Sequence, residues 1–279
     1  MRILIAGCGD VGTRLGLLLA ADGHQVWGVR RRPERLPEGI QGLAADLTDR
    51  ASLAALPQAL DQVYYTAAAD RSTEEAYRQA YVDGLRNVLS AVGESPRRLV
   101  FVSSTSVYGQ TDGSWVDEGS PTEPRSFRGR LILEAEAVLA ERAQETVTVR
   151  FAGIYGPGRT RLIDSVRRGE AVCYDDPPLY TNRIHVDDCA AVLRHLGGLR
   201  SVPGIVLGVD HAPTPDGEVK RWLARRQGVA EPPEAGDRPA TRPRPVANKR
   251  CSNRWLVDSG YRFLYADYRA GYGAMLDGG

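Results

Sequence analysis

The chain opens on a short apolar run, Ile3, Leu4 and Ile5 within Arg2–Ala6. A run of that length without polar alternation predicts a strand covered on both faces. Gly7, Gly9 and Gly12 follow, and Val11, Leu15, Leu18 and Leu19 then recur at helical spacing. A helix therefore starts directly after the glycines, and Gly23 ends it. Gln25–Val29 reads as a second strand, with further strands at Leu43–Ala45, Val63–Thr66, Leu99–Ser103, Val147–Phe151 and Ile205–Val209. Between several of these the period lengthens. Tyr77, Tyr81, Gly84, Leu85, Val88 and Val92 share one helical face, and Leu131, Ala135, Val138 and Leu139 share another.

Strand alternating with helix implies an α/β fold with a parallel, doubly wound sheet. From about Tyr155 the alternation lapses and glycine and proline become frequent. Segment 231–250 reads as a loop rich in proline and arginine. The organisation expected is a nucleotide-binding domain over residues 1–154, with 185–210 returning to it. Residues 155–184 and 211–279 then form a smaller C-terminal α/β substrate lobe.

Bulk composition narrows the function classes. With 42% apolar and 25% charged residues, a sizeable core is within reach. A net charge of +1 argues against a nucleic-acid footprint spread over the surface. No apolar run reaches bilayer-spanning length, and the N-terminus lacks a basic-then-apolar signal segment. Cys8, Cys173, Cys189 and Cys251 are scattered without metal-ligand spacing, so they read as free thiols in a reducing compartment. The expectation is a cytoplasmic protein with no metal, no nucleic-acid partner and no membrane partner.

The G-x-G-x-x-G of Gly7, Gly9 and Gly12 lies between a predicted strand and a predicted helix, as in a Rossmann-type dinucleotide site. Side chains at the first two glycines would block the tight turn and the approach of a pyrophosphate to backbone N–H groups. The third glycine lets helix and strand pack closely, and the helix N-terminus favours the phosphate charge. Cys8, Asp10 and Val11 complete the loop. An acid at the end of the second strand would bind a ribose 2′-hydroxyl, but here the strand ends in Arg30, Arg31 and Arg32. Guanidinium groups suit a 2′-phosphate, which favours NADP over NAD. Asp46, followed by Leu47, is placed either to meet the adenine amino group or to cap the next helix.

Several longer segments resemble the extended short-chain dehydrogenase/reductase superfamily, in its NAD(P)-dependent epimerase/dehydratase branch. FVSSTSVYG (101–109), the DEGSPTEP that follows, VRFAGIYGPGR (149–159), NRIHVDD (182–188) and YVDGLRNVLSAV (81–92) carry the likeness. The terminal KRCSNRWLVDSGYRFLY resembles the closing segment of an atypical subgroup. The resemblance implies that Thr66, Ala67, Ala68 and Ser103 line the cofactor and that Ser104, with Ser106 nearby, orients a substrate carbonyl. It also implies that Tyr155, Arg159 and Arg183 contact substrate, and that Arg161 and the 231–250 arginines add positive charge suited to a nucleotide-sugar diphosphate. The helix 77–92 would make a homodimer contact or pack on the sheet, leaving monomer and homodimer both open.

Two departures stand out against that family. The first two glycines are separated only by Cys8, one residue fewer than usual. Where the family places a Tyr-x-x-x-Lys pair, the chain reads Ser126 and Arg130. Serine is a poor acid, and arginine holds ribose hydroxyls without titrating near neutrality. Tyr108, after the serine segment, and Tyr155, at the mouth of the substrate lobe, are the alternative acids. His185 and Asp187 read as packing groups. The pattern implies either an NAD(P)-dependent oxidoreductase or epimerase with an altered acid, or a silent dinucleotide-binding sensor. A lyase or dehydratase using the cofactor transiently is a third option.

Overall fold

The computed structural model describes residues 1–235 and 247–278. One sheet contains seven strands: β1 (Arg2–Ala6), β2 (Gln25–Arg30), β3 (Gln41–Ala44), β4 (Gln62–Tyr65), β5 (Arg98–Ser104), β6 (Glu145–Phe151) and β7 (Ile205–Gly208). Their spatial order is β7-β6-β5-β4-β1-β2-β3. β1 pairs in parallel with both β2 and β4, so the chain winds one way to β3 and then returns to build the other half. The C-terminal ends of β1 and β4 thus flank the point where the winding reverses. The doubly wound sheet expected from the alternation is present. β3 begins two residues earlier than the pattern suggested, and β4 stops at Tyr65, where Thr66 still donates its N–H to Ala6.

The helices are α1 (Asp10–Ala21), α2 (Glu74–Tyr77), α3 (Gly84–Val92), α4 (Phe127–Ala140), α5 (Arg161–Arg167), α6 (Val186–Gly198), α7 (Asp216–Gln227), α8 (Arg254–Asp258) and α9 (Tyr268–Asp277). α2 and α3 form one run in which Arg78–Asp83 is wound as a π-helix. The cause lies in β4. The Tyr65 hydroxyl donates to the Ala80 carbonyl, an acceptor that a regular α-ladder would give to residue 84. Residue 84 is glycine, and a Cβ there would stand 2.5 Å from the same hydroxyl. The apolar face of this run, from Val82 to Val92, is buried in the core beside β1, β4 and β5. Among the described residues no helix is long and apolar enough to cross a membrane.

The chain divides into two units. The first comprises Met1–Val107, Pro124–Arg150 and Cys189–Val206. Within it, the fully buried Arg98 closes the C-terminal end of α6. Its guanidinium donates to the carbonyls of Leu196, Gly197 and Leu199, and it pairs with Glu145 at 2.8 Å. Helix-end carbonyls otherwise left bare inside a protein are thereby satisfied.

The second unit comprises Tyr108–Glu123, Phe151–Asp188 and the chain from Leu207 onward. α5, α7 and α9 pack around Tyr155, Ile163, Val166, Val219, Leu223, Tyr268 and Tyr272. Asp188, fully buried, accepts hydrogen bonds from the Tyr261 hydroxyl and from the Leu264 and Tyr265 N–H groups. The closing segment is knitted in by side-chain amides. Asn248 accepts from Tyr180 N–H, and Asn182 accepts from Cys251 N–H. Arg250 lies over the rings of Trp115 and Tyr180.

Arg98→Met should lower the unfolding free energy by about 3 kcal/mol, because it strips the α6 carbonyls and the half-buried Glu145 of their donor. Urea denaturation measures this; a change under about 1 kcal/mol would refute the capping role.

Candidate functional site

The glycine loop leaves the end of β1 and is held against β2: Gly7 and Cys8 both donate their N–H to the Val29 carbonyl. Gly7 has φ +78°, and a Cβ there would stand 2.5 Å from Ala67. A Cβ at Gly12 would meet Thr66 Oγ1 at 2.7 Å and Ile5 at 3.0 Å, so α1 approaches the sheet as closely as that glycine allows. Gly9 is different. Its nearest neighbour would be 3.8 Å away, which makes it the open position of the three, at the mouth of α1. The N-cap residue is Gly9 itself, which has no side chain to cap the helix and so leaves room for a phosphate at its N-terminus. Thr66 Oγ1 donates to the Gly7 carbonyl and ties β4 to the loop.

The neighbouring residues fall into two kinds. Cys8 is fully buried with its sulfur under Gly28, and burial raises its thiol pKa, so it offers the loop only backbone. Val11 is buried in the core, whereas Asp10 pairs with Arg14 at 3.0 Å. Arg30 is half-buried at the end of β2; Arg31 is exposed and lies 3.7 Å from Asp70. Asp46 Oδ1 accepts from both the N–H and the hydroxyl of Thr48, which holds its carboxyl below the usual range. Asp49, not Asp46, caps the following short 3-10 helix. Leu47 packs on the core, and Ala68 is exposed beyond Ala67.

At the end of β5, Ser104 Oγ accepts the Ser106 N–H at 3.1 Å, and Ser106 Oγ is buried without a hydrogen-bond partner. Ser103 points elsewhere. Its hydroxyl donates to Glu136, which pairs with Arg150 at 2.6 Å, all three being buried. Sequence reasoning missed this cluster, although an acid on the apolar face of one helix and an arginine inside an apolar strand signal a buried pair. Ser126 accepts from Gly129 N–H as the cap of α4, and the exposed Arg130 donates to the Arg125 carbonyl. Residues 109–154 contain neither tyrosine nor lysine, so no register of α4 supplies that pair.

Residues 3–196 match the model of the NAD dependent epimerase/dehydratase family. This chain belongs to that family. A solved structure of a candidate family member from Methylobacillus flagellatus is 41% identical, with a TM-score of 0.82 over 99% of this chain and 98% of that one. Protein YeeZ of Escherichia coli K12 is 34% identical over 170 residues, 57% of this chain and 60% of YeeZ; the match spans about three fifths of that relative's length. Human epimerase family protein SDR39U1, solved with NADPH, shares the fold at 22% identity and a TM-score of 0.79, covering 99% of each chain.

This family member keeps its remaining candidates in the second unit. Tyr108 is buried with its hydroxyl on the Asp117 carbonyl. The Tyr155 ring lies 4.4 Å from that of Tyr272, tilted by 40°, and edge-on to His185; burial pushes its phenol well above the ordinary range. Arg159 is exposed. Arg183 is buried, with Nη2 donating to the Thr181 hydroxyl and its charge beside Asp210. His185 is buried in contact with Tyr265, consistent with a packing role. Of the arginine-rich loop, residues 236–246 lie outside the described residues. Lys249, which the sequence did not flag, is buried with its ammonium on the Tyr108 carbonyl, and burial lowers its pKa.

Asp210 is also buried. Loss of solvent pushes its carboxyl up to about 7 despite Arg183 nearby, and Asp267 and Asp188 push the same way. In the unfolded chain the group ionises near its ordinary value, so between that pH and about 7 the folded form binds the extra proton. Its contribution therefore weakens as pH rises through that window, by up to about 4 kcal/mol. Asp210→Asn should flatten the decline in stability between pH 4 and pH 7, as read by urea midpoints. An unchanged pH slope would show that the group titrates normally.

Proposed function

We propose that the chain is an NADP-dependent oxidoreductase or epimerase of the extended short-chain dehydrogenase/reductase type. Its substrate is a polar small molecule bearing a hydroxyl or keto group, a class that includes nucleotide-sugars. The observation that carries this reading is the contrast within the glycine loop: Gly7 and Gly12 are closed by neighbours, while Gly9 is open at the N-terminus of α1. That shape suits a pyrophosphate. Arg30 and Arg31 at the end of β2 suit a 2′-phosphate better than a bare hydroxyl.

NADP, when bound, supplies or takes up the hydride. The protein's part is orientation. Because Ser104 Oγ accepts from Ser106 N–H, its own proton is left to donate to the substrate oxygen. The Tyr108 hydroxyl is already spent on a carbonyl, so an acid role for it would require that bond to break. A second reading, a dinucleotide-binding sensor without turnover, is favoured by the absence of tyrosine and lysine from α4.

Calorimetric titration with NADPH, NADH, NADP+ and NAD+ tests the reading. The phosphorylated pair should bind about tenfold more tightly or better, and Arg30→Ala with Arg31→Ala should erase the difference. Equal affinity for all four would remove the NADP preference. Gly9→Ala should leave the melting temperature unchanged while weakening binding by about tenfold or more, because the new methyl group takes the phosphate's place and nothing else's. Ser104→Ala should lower turnover far more than nucleotide affinity; a parallel loss of both would deny it a role in orienting the substrate.

A further inference from the structure

The first turn of α4 is fixed against the turn that follows Ser104. A Cβ at Gly129 would stand 2.4 Å from the Ser106 carbonyl oxygen, and Glu136, two turns on, holds Ser103. Residues four apart share a helix face. The stripe 128, 132, 136 therefore borders the C-terminal end of β5. The stripe 126, 130, 134 turns away: Glu134 meets Arg78 at 2.8 Å and Arg86 at 3.9 Å, on the α2–α3 run. The residues that α4 presents beside Ser104 are thus Arg128 and Ile132, not Ser126 and Arg130.

Arg128 reaches from α4 to the segment after β4, where Nη2 donates to the Ser72 hydroxyl. The rings of Phe127 and Tyr77 lie 5.7 and 5.9 Å from its guanidinium carbon. Among the described residues no carboxylate pairs with it. The side chain accordingly links the first turn of α4 to the segment that follows β4, on the side of the sheet at which doubly wound folds take ligands. A guanidinium keeps its charge at every working pH and presents a planar fork of donors, of which Ser72 uses one. A carboxylate matches that fork in shape and charge.

We infer that Arg128 binds a carboxylate of the substrate next to the carbon whose oxygen faces Ser104, so that the substrate is a hydroxy- or keto-carboxylic acid. This deepens the dinucleotide-dependent reading and rests on it. Ile132, the next residue of the same stripe, is buried in the core, which leaves Arg128 as the charge that selects.

Malonate, the neutral malonamide and inorganic phosphate, titrated calorimetrically with and without NADP+, test the assignment. Malonate should bind the wild type, bind Arg128→Ala about tenfold more weakly or worse, and bind Arg128→Lys in between. The control Arg125→Ala should match the wild type, and malonamide should not bind. Equal malonate affinity in wild type and Arg128→Ala overturns the assignment, as does failure of malonate to bind the wild type. Phosphate binding more tightly than malonate and lost in Arg128→Ala overturns the carboxylate class. NADPH affinity, read on the same Arg128→Ala sample, should stay within about threefold of wild type. If no nucleotide binds the wild type, the dinucleotide reading fails by itself, and the titrations without NADP+ still decide Arg128.

Discussion

A carboxylate and a guanidinium buried together set the geometry of the sheet's ligand edge. Glu136 and Arg150 are each nearly without solvent, and such a pair is tolerated only when its remaining valences are filled. Ser103 fills one of them. The three groups come from α4, β6 and β5, so the arrangement fixes one helix and two strands at a single point. Ser104 follows Ser103 directly, and the direction of its hydroxyl is inherited from that anchor. The first turn of α4 follows too, because Gly129 lets it settle onto the Ser106 carbonyl.

Most of the first unit was legible in the residues. Short apolar runs, such as Ile3–Ile5 and Val63–Tyr65, marked the strands because both faces of a parallel sheet are covered. The glycine triplet was legible for a harder reason: at Gly7 and Gly12 no Cβ fits, and only glycine meets that demand. Helix faces were placed correctly, since Leu131, Ala135 and Leu139 are all core. What the pattern could not show was which elements flank the other faces of α4. Spacing says that residues 126, 130 and 134 share a face, but not which neighbour that face meets. The Glu134 ion pairs and the Ser103–Glu136 bond settle it, and both are long-range contacts.

The second unit was less legible, and the physical reason is visible in its construction. Its closing segment is held by side-chain amides, notably Asn182 and Asn248, rather than by periodic apolar faces. Such bonds leave no repeat in a sequence. Asp188 illustrates the ambiguity. It stands next to Asp187 in NRIHVDD, and its carboxylate accepts three hydrogen bonds from the Tyr261–Tyr265 stretch and serves as a latch. Lys249 is the opposite case: a residue type expected in water is spent on a carbonyl inside.

The π-wound stretch between α2 and α3 has a bearing on how such chains diverge. A π-turn accommodates one more residue than an α-turn, so it is equivalent to a single insertion absorbed within a helix. A relative with phenylalanine at the position of Tyr65 loses the hydroxyl that holds the Ala80 carbonyl, and with it the reason for the wide turn. Its helix could shed one residue, turning everything on the N-terminal side by about 100° relative to the rest. Tyr77, one of the rings beside Arg128, lies on that side. The lining of the ligand edge would then change through a deletion several residues away, with every residue in the lining itself unaltered.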